Sequence, residues 1–210
     1  MLSFADLRHA VNVSATTTAS GAQTVDRLLV AAAGAFADKG FHATTTRDIA
    51  SRAGLSPAGV YVHFSSKEDL LHALSRSGHE AALNLVKAAA APPGDPAHRL
   101  SRVMSSFSAW HAEHYEVARV VQYEFPHLTA QHREEVLALR KEIDATVREV
   151  IQEGVDSGQL AVDDVPDTAL ALMSLCIDVA RWYSPAINRH PADIGTTYAA
   201  LGLRLVAARR

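Results

Sequence analysis

Residues 44–68 read TTTRDIASRAGLSPAGVYVHFSSKE, and this window constrains the fold more tightly than any other part of the 210-residue chain. Thr45 is placed to cap a first short helix, with Asp48 three residues on to return the hydrogen bond, and Ile49, Ala50 and Ala53 form its apolar face. Gly54 ends that helix, because glycine enters the left-handed region at little cost, and Gly54 and Leu55 reverse the chain. Ser56 then caps a second helix with Pro57 at its first helical position. Two short helices around a glycine turn make a helix-turn-helix.

The flanks extend the helical reading. Residues 1–22 are rich in Ala, Ser and Thr, and 14–21 show no apolar period, which predicts a flexible tail over 1–22. From Thr24 the pattern turns helical, with Val25, Leu28, Leu29, Ala32 and Phe36 on one face and Gly40 at the end. A fourth helix opens at 65–69, where either Ser65 with Glu68 or Ser66 with Asp69 forms a capping box, and runs through Leu70, Leu71 and Leu74 toward Ala90. The Pro-rich break at 91–96 precedes helices expected over about 97–113, 115–124, 129–157, 164–184 and 193–208. No strand periodicity interrupts them. The expected class is all-α with about nine helices in two domains, a three-helix reader over 23–70 and a larger helical domain over 71–210.

Composition bounds the partners. With 48% hydrophobic and 20% charged residues the chain is an ordinary globular one, and no apolar run approaches the roughly 18 residues of a membrane span. The N-terminus lacks the apolar core of a secretory signal, and the single Cys176 sits in an apolar run where it reads as a small buried hydrophobe; both suit a reducing cytoplasm. The net charge of −3 is unevenly spread. Residues 1–89 carry 8 Lys/Arg against 7 Asp/Glu, a balance of +1, and 90–210 carry 12 against 16, a balance of −4. Repulsion of a polyanion therefore sits mostly away from the two-helix motif.

On these residues the segment 24–74 resembles the N-terminal domain of the tetracycline-repressor (TetR) family of transcription regulators. The resemblance joins Phe41-His42-Ala43-Thr44-Thr45, Arg47-Asp48-Ile49-Ala50, Ala53-Gly54-Leu55-Ser56 and Tyr61-Val62-His63-Phe64-Ser65-Ser66-Lys67. It implies a two-domain all-helical subunit, a homodimer, repression through double-stranded operator DNA, and release when a small molecule enters the C-terminal domain.

Physical roles for the motif residues agree with that implication. Thr45, Thr46 and Arg47 open the first motif helix, and the Arg47 guanidinium has the bidentate geometry that guanine O6 and N7 accept; a phosphate contact or a pairing with Asp48 is the plain alternative. Ser56, Pro57, Ala58 and Gly59 form a small leading turn that lets backbone come close to a major groove. Tyr61 and His63 resemble the family's phosphate-contacting pair, and Lys67 adds a cation at a helix start, suited to anchoring a phosphate. Val62 meets a thymine methyl or faces solvent. Val60 and Phe64 face inward.

The C-terminal half resembles the family in layout. Glu113-His114-Tyr115-Glu116-Val117-Ala118-Arg119-Val120-Val121-Gln122-Tyr123-Glu124 and Ile177-Asp178-Val179-Ala180-Arg181-Trp182-Tyr183 are similar to segments of family members that govern lipid or steroid breakdown and respond to acyl-CoA thioesters. Phe107, Trp110, Tyr115, Tyr123, Phe125 and Trp182 are then expected to line an elongated apolar cavity, with Arg119 or Arg181 meeting phosphates of a large anionic ligand. The alternative makes the aromatics core residues, pairs Arg181 with Asp178, and leaves a multidrug-responsive efflux repressor as the rival function.

Dimerisation is expected along Leu172, Leu175 and Val179 on the penultimate helix and Tyr198, Leu201 and Leu205 on the last, with Ala199, Ala200 and Gly202 allowing close approach in an isologous four-helix interface. The 11 histidines, His111, His114, His127 and His132 among them, lack the spacing of a zinc site, so no metal or cofactor is expected. An enzyme using Glu113, His114, Glu116, Glu124 and His127 is disfavoured. Di-metal bundles need Glu-x-x-His twice, and only Glu124 precedes a histidine by three.

Overall fold

The computed structural model describes residues 19–207. Nine α-helices follow one another among these residues: α1 (Ala19–Ala43), α2 (Thr46–Ala53), α3 (Pro57–Tyr61), α4 (Lys67–Ala90), α5 (Pro96–Glu113), α6 (Tyr115–Tyr123), α7 (Ala130–Asp156), α8 (Val165–Trp182) and α9 (Pro191–Val206). The fold is all-α, and the β-pairing among the described residues is one isolated bridge between Leu160 and Ala207. Helix α1 begins at Ala19, so residues 19–22 are helical where a tail was expected; the rest of that tail lies outside the described residues. Ala19, Ala22 and Gln23 are good helix formers that extend the apolar helix backward.

The described residues gather into two compact units, one taking the chain up to Ala81 with Glu116–Leu137, the other Ala82–Tyr115 with the chain from Ala138. The grouping departs from the boundary expected at residue 70, and the reason lies in the first unit's core. Leu70, Leu71 and Leu74 of α4 are buried with Leu28, Leu29 and Phe36 of α1, and Val117, Val120 and Val121 of α6 join them. Ile49 and Val60, both 0% exposed, insert the inner faces of α2 and α3 into this cluster. Burying each such side chain contributes about 1.5–3 kcal/mol. That burial decides whether α2 and α3 exist, since at 8 and 5 residues they fall below the roughly 12–15 at which isolated helices persist.

A polar clasp joins the first turns of α4 and α7 within the same unit. The rings of His72 and His132 stack with centroids 3.7 Å apart and 3° between planes. Each pairs with a carboxylate of the opposite helix, His132 Nδ1 at 2.9 Å from Glu68 and His72 Nε2 at 3.0 Å from Glu135. Glu68 also accepts from the Thr129 amide at 2.8 Å. Asp69, beside Glu68, is occupied by Ser65 and Ser66.

In the second unit, Leu100, Val103, Met104 and Phe107 of α5 pack with Val147, Val150 and Ile151 of α7 and Leu172, Met173 and Cys176 of α8. Helix α9 lies hard against α5. A Cβ on Gly195 would sit 2.4 Å from the Ser105 carbonyl oxygen, and one on Gly202 would sit 2.8 Å from Met104 Cε. The small residues of α9 thus serve packing inside the subunit, which corrects the expectation that Gly202 opens a face to a partner. The Arg99 and Arg102 guanidiniums donate to the carbonyls of Ala89, Ala90 and Ala91 at the C-terminal end of α4.

Burial and then the nearby charge of His132, only partly offset by Glu135 and Glu68, hold the His72 imidazole below its ordinary value of 6.5. The folded state therefore favours neutral His72, so its contribution is complete above about pH 6.5 and lost as pH falls below that value. Thermal melts should show His72→Gln losing less melting temperature than the parent between about pH 7.5 and 5.5. Parallel pH profiles for the two proteins would exclude the clasp as the titrating element.

Candidate nucleic-acid interface

The reader is built from helix ends. Thr45 Oγ1 accepts from the Asp48 amide at 3.1 Å, and the Thr45 amide donates to Asp48 Oδ2 at 2.9 Å, which completes the expected capping box. The Thr45 hydroxyl, then its amide, then Lys39 hold the Asp48 carboxyl far below the usual carboxylate range. Gly54 at φ 66° closes α2, and the Leu55 amide donates to Ala50 O at 2.9 Å. Arg27 of α1 donates to the Ala53 carbonyl at the same end. Ser56 Oγ accepts from the Gly59 amide at 3.2 Å and starts α3. Of the two capping boxes considered for α4, the one present uses Ser66, whose Oγ accepts from the Asp69 amide at 3.0 Å.

The corner between α1 and α2 has its own fastening. Thr44 is buried, and its hydroxyl reaches Ala35 O at 3.0 Å and Gly40 O at 2.8 Å. The Lys67 ammonium lies 2.6 Å from Phe41 O, 3.3 Å from His42 O and 2.9 Å from Thr44 O. It also sits 4.4 Å from the centroid of the Phe41 ring. The expected phosphate anchor is thus turned toward backbone carbonyls of the corner between α1 and α2, of which Phe41 O also accepts from the Thr44 amide at 3.3 Å.

The other motif residues face outward. Thr45, Arg47, Ser56, Pro57, Ala58, Tyr61 and Val62 are exposed, and Thr46, Gly59 and His63 are half-buried. The Tyr61 hydroxyl lies 3.1 Å from Thr46 Oγ1, which ties the end of α3 to the start of α2 beside Arg47. Val62, 78% exposed, points into solvent. Asp48, the partner first considered for Arg47, is engaged by Thr45 and Lys39. Along the described chain up to Ala81, Arg27, Lys39, Arg52, Lys67 and Arg76 all bind carbonyls or carboxylates. Arg47 has no such partner among the described residues.

The residues expected to line a ligand cavity divide between the units. Phe107, Trp110, Tyr115, Arg181 and Trp182 belong to the second, and Arg119, Tyr123 and Phe125 to the first. Phe107 is a core residue, Tyr123 is 57% exposed, and Phe125 packs on the first unit's core. Arg181 forks onto Asp178, with Nε at 2.6 Å and Nη2 at 2.9 Å, as the alternative reading had it. Tyr115 and Trp182 pack with Tyr198 around Val179, Tyr183 and Ile194.

The dimer stripe needs correction as well. Leu172 and Val179 are 1% and 0% exposed within one subunit, so they add nothing to an interface. The outward apolar residues are Leu170 and Leu175 of α8 with Leu201 and Leu205 of α9. Leu170 escaped the sequence reading because periodicity locates a stripe but not which of two stripes the subunit covers.

The histidines serve packing and pairing. His111 is buried with Nδ1 2.8 Å from Phe107 O, and His127 stacks on Phe41 at 5.1 Å. One group among the described residues has metal-ligand types close together, Glu68, Asp69 and His132, with ligand atoms within 4.8 Å. Each of the three already takes part in the α4 and α7 caps and the clasp. No helix among the described residues is long and apolar enough to cross a membrane.

Comparison with known proteins places these features in context. The family model for bacterial regulatory proteins of the tetR family matches residues 28–74, and that for a tetracyclin repressor-like C-terminal domain matches 93–206. The HTH-type transcriptional repressor KstR2 of Rhodococcus jostii is 34% identical over 172 residues, 79% of this chain and 81% of that protein. A crystal structure of a tetR-family bacterial regulatory protein from Rhodococcus RHA1 superposes with a TM-score of 0.85 at 35% identity, covering 90% of this chain and 99% of that one. The regulator AibR, solved with isovaleryl coenzyme A and operator DNA, shares the fold at a TM-score of 0.77 and 20% identity, over 85% and 97% of the chains.

Because α2 depends on its caps, Thr45→Ala should lower unfolding stability by about 0.5–2 kcal/mol. Urea melts of the two proteins measure the difference. A change smaller than the error of the fit would mean that packing alone sets the helix start.

Proposed function

The chain belongs to the tetR family of bacterial regulatory proteins, and from that premise we propose that it binds double-stranded operator DNA as a homodimer, represses transcription, and is released by a small molecule. The observation that carries the reading is Arg47, exposed at the start of α2 and left without a partner among residues whose other cations are engaged. A guanidinium presented this way suits a bidentate contact with guanine in a major groove. Tyr61, fixed by Thr46 at 3.1 Å, and His63 suit flanking phosphates. Ser56, Pro57 and Ala58 offer a low, exposed leading turn for close approach to base edges. The proposed activity has no catalytic step and places the protein in the cytoplasm with its DNA.

For the dimer we assign the outward face of α8 and α9, Leu170, Leu175, Leu201 and Leu205. Two-fold pairing of that face makes an isologous interface, and the operator is then an inverted repeat with half-sites about 34–36 Å apart or a multiple of that. A charge introduced by Leu205→Glu should shift the equilibrium to monomer in sedimentation while far-UV dichroism stays helical; an unchanged dimer would move the interface elsewhere.

The inducer we propose is an acyl-CoA thioester of lipid or steroid breakdown. AibR was solved with an acyl-CoA thioester, isovaleryl coenzyme A, and the 34% identical KstR2 is named a transcriptional repressor. The half-buried aromatic residues Trp110, Tyr115 and Trp182 of the second unit suit an apolar acyl or ring moiety, with Phe107 in the core beneath Trp110. By linkage the ligand binds the DNA-free form more tightly by the factor with which it weakens operator binding, typically about 1–3 kcal/mol of coupling.

Titrating long-chain acyl-CoAs, steroid-CoA esters and lipophilic drugs into an operator complex tests the ligand class. Release by the thioesters is the expected result, and release by free drugs alone would favour an efflux repressor. Arg47→Ala should cost about 1–3 kcal/mol and relax preference at one base of each half-site, and with Tyr61→Phe should abolish specific retention of a dimer that remains folded. Specific retention by the double variant would overturn the site.

A further inference from the structure

We infer that Lys67 is a positioning residue of the reader, a strut between α4 and the α1–α2 corner, and that it contributes no charge to the phosphate contacts. The inference rests on the operator-binding reading above.

An ammonium has three protons and no more. Here three carbonyl oxygens take them, those of Phe41 at 2.6 Å, His42 at 3.3 Å and Thr44 at 2.9 Å. The open face of the Phe41 ring, 4.4 Å away, holds the same charge by a cation–π contact. A phosphate oxygen could capture the ammonium only by displacing at least one of these contacts; the part-buried Thr44 carbonyl is the costliest to release, since Phe41 O also accepts from the Thr44 amide at 3.3 Å and the His42 contact is exposed.

The site also corrects an apparent misplacement. A cation in the first turn of a helix opposes the helix dipole, and Lys67 occupies that position in α4. Here the same cation is withdrawn from that end and donates to the Phe41, His42 and Thr44 carbonyls, which lie past the kink at Gly40 in the corner between α1 and α2. Thr44 shares the task, since its buried hydroxyl satisfies Ala35 O and Gly40 O while its own carbonyl receives Lys67. Thr45, next in the chain, caps α2, so the ammonium fixes the residue immediately before the reader's first helix. A movement of the first turn of α4 therefore carries the start of α2 with it.

Operator affinity measured against potassium chloride concentration separates a strut from a phosphate contact. The Lys67→Met protein, which keeps the stem and loses the charge, should bind about tenfold more weakly at every salt concentration with an unchanged slope of log affinity on log salt. Loss of one phosphate contact per subunit would instead flatten the slope by about 1.8 for a dimer, and that result would overturn the proposal. Lys67→Met should also melt several degrees lower in the absence of DNA; an unchanged melting temperature would likewise overturn it. Should the variant not fold, the wild-type Lys67 ammonium signal in nitrogen-15 NMR decides. The proposal requires a slowly exchanging signal that does not move when operator is added, and a shift with scalar coupling to phosphorus would sink it. A wild-type protein that retains no operator at all would refute the functional reading, while the DNA-free melts would still judge the strut.

Discussion

Every helix leaves a last turn of carbonyls without partners, and in this protein cations from neighbouring helices repeatedly supply the missing donors. Lys67 of α4 serves the end of α1, Arg27 of α1 serves the end of α2, and Arg99 and Arg102 of α5 serve the end of α4. A side chain that reaches across to a helix end does two things at once. It satisfies a polar group that would be costly to bury unpaired, and it fixes the angle at which two helices meet. For α2 and α3, too short to persist alone, such fastenings and the burial of Ile49 and Val60 together define the geometry.

This economy of cations also explains how an acidic chain can present a DNA-reading surface. The net charge of −3 and the near-neutral first half give no broad basic face. Lys39, Arg52 and Arg76 are neutralised by Asp48, Asp38 and Glu80, and Lys67 and Arg27 are turned to backbone. Among the described residues up to Ala81, the arginine that remains outward is Arg47, at the first turn of α2. Long-range attraction to a polyanion is thereby weak, and on the proposed function discrimination rests on a few short contacts whose positions are set by capping.

Local signals carried most of the fold. The boundaries of α2, α3 and α4 were legible within a few residues because Thr45, Ser56 and Ser66 are capping residues and Gly54 and the 91–96 break are stops, while the structure adds Asp95 and Asp164 as the caps of α5 and α8. What the sequence could not supply was the partner of each exposed-looking group. Lys67 reads as a surface cation until α1 is seen to end beneath it, although a lysine at a helix N-terminus is itself a hint that its charge is used elsewhere. Leu172 and Leu175 share an apolar helix and differ only in which face α5 covers. The same ambiguity affected α6, whose Val117, Val120 and Val121 form a helical stripe that suits either domain and in fact closes the first unit's core.

The arrangement bears on how such a reader can be switched. Unwinding α2 would release a capping box, a glycine cap, the Arg27 bond and the burial of Ile49 together, so its internal structure resists change more than its placement does. Its placement depends on the corner at Thr44, which α4 holds through the Lys67 ammonium and through the core that Leu70, Leu71 and Leu74 share with Phe41 and Ile49. Helix α4 contributes residues to both compact units, and a ligand acts on an equilibrium only through differential affinity for its two states. On the proposed reading, a displacement of α4 at its first turn is passed to the start of α2 by both the ammonium and the shared core, and short base contacts tolerate little of it. Rigidity of the reader and leverage at its base are thus the same physical property seen from two ends.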